Sequence, residues 1–174
     1  MGGGSLVYAN VLLEPDAKVW QDPAWKDLED WKSVMPSFYQ RARTMLGVEE
    51  NPHLGPVDRM LKESAEEEKL GDSFKKTTVG VYFGNPGETV SDPYFGGQGP
   101  DRTGFILCGG CMVGCRHEAK NSLDFNYLYF AEKQGARIFP YMEVLDVQPL
   151  FSESGRQKGL QNFLQGEYSK WNPG

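Results

Sequence analysis

The three cysteines of this chain, Cys108, Cys111 and Cys115, fall within eight residues, and His117 follows them directly. Their spacing is C-x2-C-x3-C-x-H. Thiolate sulfur and imidazole nitrogen are ligands for zinc and iron, and a closed structural site takes four of them. An iron–sulfur run of the form C-x2-C-x2-C-x3-C would need a further cysteine at position 105. That position is Phe105, so the four-thiolate pattern is broken. Cys108, Cys111, Cys115 and His117 still offer four donors for zinc, with a tight one-residue gap between the last two. The other reading is of small, buried, reduced cysteines in a sharply turned glycine loop. Nothing nearby marks an orienting residue or an oxyanion hole for a Cys–His nucleophile pair.

Gly2-Gly3-Gly4-Ser5 is the second run with chemical meaning. Bare backbone can approach a phosphate where a side chain would not fit, and it offers N–H donors. The same run also suits a flexible linker. Leu6-Val7-Tyr8-Ala9-Asn10 follows it at once and turns apolar. Other residues carry less. His53 sits in a polar loop and reads as surface. Trp20, Trp25 and Trp31, like Tyr127, Tyr129 and Phe130, have spacings that suit a core better than a ligand cage. Asp92 to Pro100 is a glycine-rich loop able to cover a site.

The 174 residues suffice for one domain with a core. Aromatics at 13% argue for a globular chain, while 21 glycines and 11 prolines favour turns over long elements. A net charge of −6 argues against a nucleic-acid partner. No apolar run approaches the ~20 residues of a membrane span. The start lacks the charged and apolar regions of a signal peptide. An odd cysteine count is poor material for a disulfide scaffold. These features together read as a cytoplasmic, reducing setting.

The elements that must position these residues read as an α+β fold. Apolar periodicity predicts helices over 23–32, 36–46, 57–70 and 121–134. Strands are expected over 77–83 and 137–147, the second broken at Pro140. The charge run at Glu66 to Lys69 reads as a solvated face. Residues 1–150 read as one domain and 151–174 as a polar tail, with a weak helix near Lys158 to Leu164.

The order Gly-Gly-Gly-Ser-Leu-Val, a helical stretch, Asn121-Ser122-Leu123-Asp124-Phe125-Asn126-Tyr127-Leu128, then Gly135 and Val144 resembles the glucose-methanol-choline oxidoreductases. Their cholesterol-oxidase-like branch, which includes members with a glycine-cysteine segment, is the nearest in pattern. The likeness covers residues 2 to about 150. It implies FAD as cofactor and an alcohol or sterol as substrate. By that resemblance Gly2, Gly3, Gly4 and Ser5 lie along the flavin and pyrophosphate, Asn10 approaches the isoalloxazine, and Val144 holds adenine through its backbone. It assigns no catalytic residue to this chain. No G-x-G-x-x-G follows a strand, and no acidic ribose partner lies beyond one. The resemblance places both ahead of the glycine-serine run and the catalytic histidine far beyond Val144. The expectation is therefore an internal fragment of such an enzyme, inactive alone.

Overall fold

The stretch from Thr77 to Phe83 is the backbone spine of residues 1–134, as its β-branched and aromatic residues lead one to expect. In the computed structural model, residues 2–151 and 157–166 are described, the backbone alone from 150 onward. The chain divides into two units, Met1–Gln134 and Gly135–Gly174.

In the first unit, α1 runs over Trp31–Met45 and α2 over Pro56–Glu67, and α3, shorter, over Tyr127–Lys133. Four two-residue strands accompany them: β1 (Glu49–Glu50), β2 (Thr78–Val79), β3 (Thr89–Val90) and β4 (Arg102–Thr103). β1 pairs with β2 and β3 with β4, both antiparallel. The spine makes more bonds than these ladders show. Leu12 N–H donates to Thr78 C=O, Gly80 N–H to Asn10 C=O, Tyr82 N–H to Ala119 C=O and Phe105 N–H to Tyr82 C=O. The 77–83 segment thus gathers the N-terminal loop, the segment after the cysteines and the strand before them.

In the second unit, β5 (Met142–Phe151) and β6 (Gln157–Gly166) form an antiparallel hairpin, with Met142 opposite Gly166 and Val144 opposite Leu164. Helices with small antiparallel sheets make the fold α+β.

Four expectations about helices are corrected. Residues 23–29 form turns rather than a helix: the Asp22 carboxylate accepts the Ala24 N–H, and Trp25 and Trp31 spend their indole N–H groups on the carbonyls of Val19 and Trp25. A spacing of three suits such stacked turns as well as a helix. α1 starts five residues early, at Trp31, and carries Pro36 inside it rather than at its start. The weak helix at 158–164 is strand β6. The 121–134 helix divides into a short 3-10 turn at Leu123–Phe125 and α3, which Asn126 caps through its side chain.

The interior is polar. Among the described residues the buried apolar side chains are Val79, Val81, Cys111 and Ala119, against buried Asp92, Arg102, Lys120, Asn121, Ser122 and Asn126.

Candidate functional site

The glycine-serine run folds as a 3-10 turn over Gly3–Leu6. Gly2 and Gly3 have φ of 108° and 52°, values that only glycine adopts freely. A Cβ at Gly3 or Gly4 would meet nothing within 4 Å, so this backbone faces open space. Ser5 closes the turn: its hydroxyl donates to Gly2 C=O at 2.6 Å and accepts the Leu123 N–H at 3.0 Å. Asn10 also lies in the left-handed region, at φ 61°, which asparagine tolerates.

Behind this turn runs Ala119 to Ser122, where the buried charges sit. Lys120 is 1% exposed and donates to the carbonyls of Leu6 at 2.8 Å, Tyr8 at 3.3 Å and Cys111 at 2.7 Å. Arg102, also 1% exposed, stacks its guanidinium 4.2 Å from the Phe125 ring centroid. Its Nη2 donates to Ala119 C=O and to the Asn121 side-chain oxygen, while Nε and Nη1 have no hydrogen-bond partner. Burial pulls the Arg102 pKa down, against the opposing influence of Tyr94, Cys115, Asp124 and Glu118. Among the described residues neither cation belongs to an ion pair.

Asn121 connects the parts. Its side-chain amide donates to Gly47 C=O at 3.4 Å and to the Tyr94 hydroxyl at 3.2 Å, and its backbone C=O accepts the Tyr8 hydroxyl at 3.3 Å. Gly47 is required beneath it: φ is 52°, and a Cβ there would lie 2.5 Å from the Asn121 nitrogen. Burial lifts the Tyr8 pKa to about 12, reinforced by Cys111, and burial lifts Tyr94 to about 12 as well. Both phenols stay neutral across the physiological range.

The cysteines do not converge. Cys108 is exposed, Cys111 buried and Cys115 half-buried, and all are free thiols. Cys108, Cys115, Arg116 and His117 line an open pocket of about 550 Å³, whose lining does not include Cys111. Among the described residues no three or more His, Cys, Asp or Glu side chains come together to hold a metal. The four-donor zinc reading therefore finds no geometry, because Cys111 packs inward beside Lys120 instead.

Of the residues the sequence pointed to, the structure brings the glycine-serine turn together with the segment that begins at Asn121. Val144 lies in the other unit, exposed on β5. Sequence reasoning missed Arg102, Lys120 and Asn121 as a buried group. An isolated Lys or Arg carries no periodic mark of burial. The one available signal was Lys120-Asn121-Ser122 standing directly before the apolar run of α3. Among the described residues no helix is long and apolar enough to cross a membrane.

No family model matches the chain, and no solved structure matches it. Against curated proteins it is 48% identical over 165 residues to a cholesterol oxidase from Acinetobacter baumannii, covering 92% of this chain and 30% of that protein. It is 49% identical over 149 residues to cholesterol oxidases from two strains of Mycobacterium tuberculosis, covering 83% of this chain and 26% of each. The chain thus spans less than a third of the length of these relatives. Over nearly all of its own length, it is similar to proteins named cholesterol oxidase.

Proposed function

We propose that this chain forms part of an FAD-dependent oxidoreductase of the glucose-methanol-choline type, acting on the CH–OH group of a sterol or a related alcohol. The observation that carries this reading is the turn at Gly2–Ser5. Its backbone is open where a Cβ would stand at Gly3 and Gly4, and two buried cations lie on the segment behind it and beside that segment. Bare backbone and an excess of buried positive charge suit a pyrophosphate. The likeness to cholesterol oxidases supports the same assignment.

In this reading Gly2, Gly3, Gly4 and Ser5 hold the pyrophosphate side of FAD, Asn10 lies toward the flavin ring, and Val144 offers its backbone to adenine. When bound, FAD supplies the hydride acceptor for the alcohol carbon. Ser5 fixes the turn by its two hydrogen bonds, and the segment carrying α1 and α2 belongs to the substrate-covering part. The reading gives this chain no catalytic base. Its two histidines, His53 and His117, lie outside the motifs it carries over.

Amide resonances of the chain titrated with FAD test the reading. Shifts at Gly3, Gly4 and Ser5 are expected, with a dissociation constant of about a millimolar, roughly −4 kcal/mol. Gly4→Val should abolish them without unfolding the chain, since a Cβ there meets no protein atom within 4 Å. No shift in the turn at several millimolar FAD would sink the reading. The chain alone, with added FAD, is expected to release no peroxide from cholesterol, as a coupled peroxidase assay would show.

A further inference from the structure

We propose that Lys120 is a positioning residue that makes the cysteine segment a brace for the glycine-serine turn. An ammonium has three donors, and here three carbonyls receive them: that of Leu6 at the end of the turn, that of Tyr8 just after it, and that of Cys111 in the cysteine segment. The ammonium also stands 4.9 Å from the centroid of the Tyr8 ring. All three acceptors are main-chain atoms, so the contact fixes the path of two backbones rather than the pose of side chains. Among the described residues no other side chain hydrogen-bonds to both residues 2–8 and residues 108–117.

A buried space of this shape could be filled by methionine at no electrostatic cost. A lysine there, 1% exposed and without a carboxylate partner, is a directional device rather than filler. Removing it leaves three carbonyls facing inward without their donor. The cysteine segment is itself held from both ends in an unfavourable conformation: Leu107 and Glu118 have φ of 57° and 55°. Such backbone persists only where its surroundings over-determine it, and the Cys111–Lys120 bond is one such constraint. What the braced turn is for rests on the proposed FAD reading. That the turn depends on Lys120 does not, and can be read with no flavin present.

Hydrogen exchange of the full chain carrying Lys120→Met is the test. The side chain shortens by one heavy atom and loses all its donors. Exchange should accelerate roughly tenfold at Ser5, Val7, Tyr8 and Val113, and stay unchanged at Leu46, Asn51 and Gly104. The Cys111 thiol should also gain reactivity toward a maleimide. Acceleration spread evenly over all seven amides, no change at Val7 and Val113, or a change in only one of the two segments would overturn the proposal. Lys120→Gln, a shorter neutral amide, should give the same local pattern. Failure of both variants to fold would make Lys120 a general structural residue and overturn it equally. A failure of FAD titration leaves this result untouched.

Discussion

Asp92 shows how one side chain orders a loop. One carboxylate oxygen accepts the N–H groups of Tyr94 and Phe95, and the other accepts those of Gly97 and Gly99. Burial alone would raise its pKa, but the four backbone donors outweigh it and hold the carboxyl below its ordinary 3.8. Stability from this group is therefore present above pH 3.8 and lost as pH falls through the lower folded value. Asp92→Asn turns an amide nitrogen toward two N–H donors and should cost about 2 kcal/mol at neutral pH. Urea unfolding of both proteins should show that gap shrinking below pH 3.8. The tyrosines behave in the opposite sense. Tyr8 and Tyr94 are raised from 10.0 to about 12, so their contribution is complete below pH 10 and fades as pH rises through 12. Ultraviolet titration should find these two phenols ionising last, together with loss of fold. A single early tyrosine transition would contradict the half-buried positions of both.

At the scale of elements, Pro36 inside α1 is the clearest fault in a helix. It withholds the N–H that would bond to Lys32 C=O and crowds that carbonyl. Pro36→Ala should raise stability by about 1–3 kcal/mol and increase helical circular dichroism; unchanged or lower stability would show that the proline fixes something besides the helix. α2 begins better, with Pro56 at its first position and Asp58 accepting the Gly55 N–H at 2.7 Å. That helix was legible in the sequence from its apolar stripe of Val57, Met60, Leu61 and Ala65, although the expected range of 57–70 begins after Pro56 and runs past Glu67. The strand expected over 77–83 was legible in part: β2 covers Thr78–Val79, and Val81 adds an isolated bridge to Lys120. The turns at 23–29 were not, since tryptophans three apart fit two conformations and indole hydrogen bonds chose between them. β6 was not legible either: its partner β5 supplies the pairing, and a strand's register belongs to two segments at once. At the site, glycines advertise open backbone in any sequence. A lysine that points inward to three carbonyls looks like any surface lysine until the fold encloses it.

For the whole molecule, the small apolar interior sets the stability. Among residues 2–149, whose side chains are described, only four apolar side chains are buried, while Leu28, Val57, Met60, Leu61 and Val113 are each more than 60% exposed. Folding should therefore be worth less than ~5 kcal/mol, below the usual range, and the exposed apolar groups should bind a hydrophobic dye in the native state. A steep denaturant transition with a larger free energy and no dye binding would show that this surface is shielded in solution. The buried set of Asp92, Arg102, Lys120, Asn121, Ser122 and Asn126 carries one more consequence. Exposing polar groups on unfolding lowers the heat capacity, whereas exposing apolar groups raises it. With so much of the first kind and little of the second, the unfolding heat capacity increment should fall well short of the ~12–15 cal/mol/K per residue of ordinary globular proteins. The stability curve then loses much of its curvature: enthalpy and entropy change little with temperature, stability keeps rising as the protein is cooled, and cold denaturation recedes to lower temperature.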